Sequence, residues 1–261
     1  MKAPNLKTVG RLDDPSRRLE RGVAVVTGGA HGLGEATVRR FVAEGASVAI
    51  WDKHVEDVAE RFVDIEDSVL PLQVDVSDED AVAAAEETTR ATLGPIQILV
   101  NDAGVAGAAE PWGISMDEWT RMMRVNLDGQ FLCIRAVLPE MRKTRYGKII
   151  NISSIAALNP RNFTHPAYGA SKAGALGLVA SMVRPLGAEG ICINAVLPGF
   201  IRTGIHDSYS QEEMAAIRAD IPLDRVGRPI DVANACLFLA SSESDYVSGL
   251  FLNVNGGTAV G

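Results

Sequence analysis

Along this chain, short runs of continuous apolar residues alternate with longer runs whose apolar positions recur every three or four residues. "VAVVTG" (23–28) is unbroken, rich in β-branched residues and closed by glycine, the pattern of a strand buried on both faces. In "LGEATVRRFVAEGA" (33–46), Leu33, Val38, Phe41 and Val42 fall near one helical face and Gly45 supplies a stop. The same rhythm predicts further strands at 47–52, 69–76, 96–101, 148–153, 191–199 and 250–256. Between them it predicts helices at 54–63, 77–94, 116–143, 167–183 and 230–241. Ser77 or Asp78 caps the helix at 77–94, and Pro139 kinks the one at 116–143. Pro185 is expected to end or kink the helix that opens near Ala167. The stretch from Ile201 to Ile221 reads as irregular and long enough to be a mobile lid. Seven apolar strands alternating with helices imply one doubly wound α/β domain, a parallel sheet covered on both faces.

Composition narrows the function classes more than the fold. No repeat, low-complexity tract or linker divides the 261 residues. The polar first 21 residues lack the apolar centre of a secretory signal. They read as an extension, disordered or wrapped on a partner, ahead of a domain spanning 22–261. A net charge of −8 argues against a nucleic-acid or anionic-membrane surface, and no apolar run approaches the length of a bilayer span. Cys133, Cys192 and Cys236 lie far apart in apolar segments. They read as small core residues rather than a disulfide framework or metal site, which points to the cytoplasm.

In a sheet of this kind ligands bind beyond the carboxyl ends of the strands, so the residues after each strand carry the chemistry. After the first comes "TGGAHGLG", with Gly28, Gly32 and Gly34 between a strand and a helix. Absent Cβ atoms let backbone approach a pyrophosphate, and the helix start offers free amides and a positive dipole end. The loop is equally an ordinary glycine-rich turn when taken alone. The second strand ends in Asp52, placed to accept hydrogen bonds from an adenosine ribose and to repel a 2′-phosphate, which favours NAD over NADP. His31 and Lys53 leave some room for a phosphate, but neither cancels Asp52. Asp75 follows the third strand, and Asn101 and Gly104 follow the fourth, positions where turn chemistry alone also selects such residues. Finally, "YGASK" sets Tyr168 one helical turn before Lys172, either an acid–base device or a pair on a solvated face.

In that order "TGGAHGLG", "NDAG", "NISS", "YGASK" and "LPGFIRT" resemble the short-chain dehydrogenase/reductase family, over about Gly22 to Gly257. The resemblance implies a Rossmann-type sheet in the order 3-2-1-4-5-6-7 and a homotetramer or dimer. It implies that Gly28, Gly32 and Gly34, with Leu33 and His31 beside them, hold the pyrophosphate. Asp52 would bind the adenosine ribose, Asp75 and Val76 the adenine, and Asn101 with Gly104 would lie beside the adenosine. Pro198, Ile201 and Thr203 would meet the nicotinamide carboxamide. The catalytic tetrad would be Asn126, Ser154, Tyr168 and Lys172, with no metal. Two features depart from the family pattern. Asp102 stands where asparagine is usual and is read as a burden on a sheet-supporting position. Ser154 precedes Tyr168 by fourteen residues, one more than is common.

The resemblance implies NAD-dependent hydride transfer between nicotinamide and a secondary alcohol or ketone. A phenol with an ordinary pKa of about 10 is a poor base. The Lys172 ammonium and an oxidised nicotinamide favour phenolate, which makes Tyr168 the general base, or the acid in reduction. Ser154 would hold the substrate oxygen, Lys172 would also bind the nicotinamide ribose, and Asn126 would hold a water or brace a helix kink. Substrate-lining candidates are 105–112, 159–165 and 201–221. Arg161, His165, Arg202 and His206 there suit a polyol or hydroxy acid, or are solvated surface; Trp112 and Phe163 suit an apolar pocket. An NADPH-linked 3-oxoacyl-thioester reductase is the enzymatic alternative, which Asp52 disfavours. A cofactor-binding regulator or scaffold is the non-enzymatic one.

Overall fold

The computed structural model describes residues 17–107, 110–159, 165–204 and 209–260. Seven strands form one all-parallel sheet: β1 (Val23–Thr27), β2 (Ser47–Asp52), β3 (Val69–Gln73), β4 (Ile98–Asn101), β5 (Gly147–Ile152), β6 (Ile191–Pro198) and β7 (Phe251–Val254). Their order is β3-β2-β1-β4-β5-β6-β7, as the sequence resemblance implies. Successive residues of a strand face opposite sides, and here both sides are apolar. Ala24, Val26, Val48 and Ile50 join one core with Val38 and Phe41 of α1 (Gly32–Ala43) and Leu237 of α8 (Pro229–Ala240). Val25, Ala49 and Trp51 join the other, with Val82 of α3 (Glu79–Leu93), Ile134 of α5 (Gly129–Thr144) and Val179 of α6 (Pro166–Ala188). The order reverses between β1 and β4, and that reversal opens a crevice at their carboxyl ends.

Several elements differ from the sequence reading. The helix predicted at 54–63 is only α2 (Val58–Arg61), followed by a 3-10 segment, Val63–Ser68. Between 116 and 143 the break falls at a π-segment, Arg124–Asp128, which separates α4 (Met116–Met123) from α5; Pro139 lies inside α5 without ending it. Pro185 likewise sits within α6, which runs on to Ala188. The segment from 201 to 221 is not irregular throughout. It contains α7 (Gln211–Ala219), opened by a capping box in which Ser210 and Glu213 satisfy each other's backbone amides. Asp78, not Ser77, caps α3 by accepting from the Asp80 and Ala81 amides.

Residues 17–22 dock on the domain rather than standing ahead of it. Leu19 is fully buried, its amide donates to Glu44 O at 2.9 Å, and Arg18 pairs with Glu44 at 3.0 Å. The rest of the proposed extension lies outside the described residues.

Candidate functional site

The glycine loop is packed so tightly that backbone, not side chain, forms its surface. A Cβ on Gly34 would lie 2.1 Å from Gly28 O, and one on Gly28, whose φ is +66°, would lie 2.9 Å from Ala103 N. Gly32 also has positive φ (+59°), but its open side meets nothing nearer than Thr203 Cγ2 at 3.7 Å. An α-helix leaves its first amides unbonded within the helix, and here Glu35 N–H is taken by His31 O. Gly32 and Leu33 therefore begin α1 with amides available to an anion, beside a cleft of about 520 Å³ bordered by Gly32, Arg202 and Thr203. Bare glycine backbone at a strand-to-helix turn is the surface a dinucleotide pyrophosphate fits.

Beside the loop, Asp52 is half-buried and accepts from the Ala30 amide at 3.1 Å and the His54 amide at 3.1 Å. Each carboxylate oxygen retains a second lone pair, so ribose hydroxyls can still be accepted. Asp75 and Val76 lie just beyond β3. Lys53 reaches the Asp75 carboxylate at 2.7 Å and, with Ser77, holds it down at about 2. The Val76 side chain is buried and fills the space left by Gly129. His31 turns outward, its Nε2 3.1 Å from Asp57 Oδ2.

The loop after β4 is clipped to β1 by Thr27, whose hydroxyl accepts from the Asp102 and Ala103 amides at 3.1 and 3.0 Å. Asn101 is buried and donates to Asn151 Oδ1 at 2.9 Å. Its side chain thus ties β4 to β5. Asp102 follows it in the chain. Its carboxyl faces the Gly34 amide at the start of α1, and burial, together with the charge of Asp52, pushes it up to about 7 against the pull of Lys172 and that amide. Gly104 presents a bare face to two further groups. A Cβ there would stand 3.2 Å from Asn126 Oδ1 and 3.5 Å from Lys172 Nζ.

Asn126 is fully buried in the π-segment, where it closes a pair of 2.8 Å bonds with the Val105 amide and carbonyl and donates to Ser171 Oγ at 3.1 Å. It thus braces the helix break and the loop after β4 together. Ser171 donates in turn to Tyr168 O at 2.9 Å, tying α4–α5 to the helix that carries the tyrosine. That link did not show in the sequence, where only Tyr168 and Lys172 of this stretch stood out. Lys172 is buried, donates to Ile152 O at 2.8 Å, and holds its ammonium 5.7 Å from the centre of the Tyr168 ring. Ser154 caps the 3-10 turn Ile155–Ala157 by accepting from the Ala156 amide at 3.1 Å. Gly169 lies against this turn, where a Cβ would make an ordinary contact with Ala156 O at 3.5 Å. The extra residue between Ser154 and Tyr168 falls in a stretch of which 160–164 lie outside the described residues.

Of the remaining candidates, Pro198 ends β6 and Ile201 is buried, in a bridge to Gly227. Thr203 is the one that reaches the glycine loop. His165 is not solvated. It is buried as the cap of α6, its Nδ1 accepting from the Ala167 amide at 3.2 Å. Trp112 is 83% exposed, too open to line an apolar pocket here. Arg161, Phe163 and His206 lie outside the described residues. Cys133 and Cys236 are buried free thiols, and among the described residues no helix is long and apolar enough to cross a membrane.

Comparison with known proteins decides the family. Residues 28–259 match a family model described as enoyl-(acyl carrier protein) reductase. The 2-dehydro-3-deoxy-L-rhamnonate dehydrogenase (NAD(+)) of Sphingomonas sp. strain SKA58 is 37% identical over 90% of this chain and 94% of its own length. The chain belongs to the short-chain dehydrogenase/reductase family. A second relative in the family is the 3-oxoacyl-[acyl-carrier-protein] reductase FabG of Thermotoga maritima, 35% identical over 93% of this chain and all of its own. The crystal structure of gox2181 superposes with a TM-score of 0.88 at 31% identity, covering 93% of this chain and 97% of that one. As a member of this family the protein is an oxidoreductase of alcohol and keto groups that uses a nicotinamide cofactor.

Proposed function

We propose that this short-chain dehydrogenase/reductase oxidises a secondary alcohol, or reduces the corresponding ketone, with NAD in preference to NADP. The nicotinamide accepts or returns hydride. Gly32 and Leu33 bind the pyrophosphate through backbone, with Gly28 and Gly34 leaving room for the close turn, and Asp52 binds the adenosine ribose. Tyr168 removes the hydroxyl proton, with the Lys172 ammonium favouring its phenolate form. Ser154 donates its hydroxyl proton to the substrate oxygen while its Oγ goes on accepting from the Ala156 amide. Asn126 keeps the loop after β4 and the helix of Tyr168 in register. The observation that carries the reading is the bare face of Gly104, flanked by Asn126 and Lys172, at the strand end next to the glycine loop. We further read the protein as a cytoplasmic homotetramer or dimer, which sedimentation would check.

Asp52 carries the preference for NAD. Replacing it with alanine removes an ionised acceptor, a loss of about 1.5–3 kcal/mol where the hydrogen bonds are charge-assisted. Asp52→Ala is therefore expected to weaken NADH binding by about tenfold or more while NADPH binding improves, because the repelled 2′-phosphate no longer meets a carboxylate. Fluorescence titration of both reduced cofactors checks this; stronger binding of NADPH by the unmodified protein would refute the assignment. For substrate, the relative that acts on a deoxy-rhamnonate and the exposed Arg202 beside Thr203 make hydroxy acids and polyols the first class to try. Asp52 disfavours the alternative of an NADPH-linked 3-oxoacyl-thioester reductase.

A further inference from the structure

We propose that Asp57 and Asp75 set the cofactor preference together with Asp52, each by engaging a cation that would otherwise be available to a 2′-phosphate. The proposal rests on the reading of Asp52 as the acceptor of the adenosine ribose hydroxyls. Two basic side chains flank that carboxylate, His31 from the glycine loop and Lys53 from the next position in the chain. The Ala30 amide, one residue before His31, donates to Asp52 Oδ2 at 3.1 Å, so the loop carries His31 to the edge of the ribose site. On the other side the Asp52 carbonyl accepts from the Val74 amide at 2.8 Å, which brings Asp75 beside Lys53.

Both cations are already engaged. Lys53 Nζ lies 2.7 Å from Asp75 Oδ2, and the other oxygen of that carboxyl accepts from the Ser77 amide at 3.0 Å and the Ser77 hydroxyl at 2.6 Å. His31 Nε2 lies 3.1 Å from Asp57 Oδ2. A carboxylate only accepts, so Nε2 carries the proton of that bond and gives it to Asp57. Arg61 also approaches Asp57, at 3.7 Å, but Arg61 and Arg39 are matched by Glu35 and Asp64. The rim of the ribose site thus sets three carboxylates, Asp52, Asp57 and Asp75, against one lysine, a net of −2 with His31 neutral. A ribose hydroxyl is indifferent to that charge, whereas a 2′-phosphate is repelled by it.

Neither pair is needed to hold the fold. The Lys53 and His31 side chains are 65% and 50% exposed, and exposed ion pairs contribute little to stability, so asparagine at 57 or 75 leaves the domain folded. Asparagine keeps the shape of aspartate. At 75 its amide oxygen can go on accepting from Ser77, while its NH2 offers an ammonium nothing. Lys53, on a flexible four-carbon stem next to Asp52, is then free to turn toward a phosphate on the ribose that Asp52 holds. At 57 the same change frees the His31 N–H on the loop side.

The test is fluorescence titration of the full chain with NADH and with NADPH at one ionic strength. The proteins are native, Asp57→Asn, Asp75→Asn, the two together, and Asp75→Asn with Lys53→Met. The readout is the ratio of the NADPH to the NADH dissociation constant, in which any lost contact to the shared adenine cancels. Each single variant is expected to lower the ratio by about fivefold, and the pair by more than about tenfold, the scale of freeing one partly exposed charge at a time. Adding Lys53→Met to Asp75→Asn is expected to take the gain back. A ratio within about twofold of native in either single variant overturns the proposal, as does a gain from Asp75→Asn that survives Lys53→Met. Asp52→Ala, measured alongside, separates this proposal from the reading beneath it. If Asp52→Ala leaves the ratio unchanged, the ribose assignment itself falls. If the ratio drops in Asp52→Ala but not in Asp57→Asn and Asp75→Asn, only the role of these two carboxylates falls.

Discussion

Tyr168→Phe is expected to lose at least about a thousandfold in kcat while NADH binds within about twofold of native, as removal of a general acid–base group does. The expectation follows from what the substitution takes away. The ring keeps its place in α6, because Ser171 bonds to the Tyr168 backbone. Lys172 keeps its bond to Ile152 O, and so does the face it offers to a nicotinamide ribose. Only the phenolic oxygen goes, and with it the acceptor for the substrate's proton. A drop confined to kcat separates this role from a structural one, which would weaken cofactor binding or lower Tm. Retention of more than a trace of turnover would remove Tyr168 from the chemistry.

Gly34→Ala is expected to destabilise the protein by about 3 kcal/mol and to weaken NADH binding more than tenfold, since a methyl group is forced into backbone. The added carbon would sit 2.1 Å from Gly28 O, 2.7 Å from Gly28 C and 2.8 Å from Gly29 Cα. No rotamer relieves such a clash, so the loop must open. An internal control lies in α6, where a Cβ on Gly177 meets nothing within 4 Å. There the change to alanine should be neutral or stabilising by up to about 1 kcal/mol, the difference in helix propensity. Denaturant unfolding and NADH titration of both variants check the pair. Equal stability for Gly34→Ala and native protein would mean the loop is looser than this packing requires.

Sheet and glycine loop were legible in the sequence because each rests on local pattern. Continuous apolar strands such as "VAVVTG" have to be covered on both faces, and alternate residues do feed two cores. What failed to show was set by contacts distant along the chain. Asn126 reaches Val105, 21 residues away, and the helix breaks there rather than at Pro139. His165 looked like an exposed loop histidine, yet it is buried as a cap because α6 begins immediately after it. Asp102 and Asn101 are adjacent with opposite duties: alternation along an extended segment sends Asn101 into the sheet and Asp102 toward α1. One miss was avoidable. The Ser210 to Glu213 spacing is a capping box, and it announces α7 inside the stretch that read as irregular.

A screen of secondary alcohols and ketones, hydroxy acids and polyols first, each offered with NAD(H) and with NADP(H), tests the account most directly. Absorbance of the reduced nicotinamide is the readout, with Tyr168→Phe run beside the native protein. The account predicts turnover of at least one secondary alcohol or its ketone, faster with NAD(H), and absent from the variant. Turnover that favours NADP(H), or that survives in Tyr168→Phe, would contradict it.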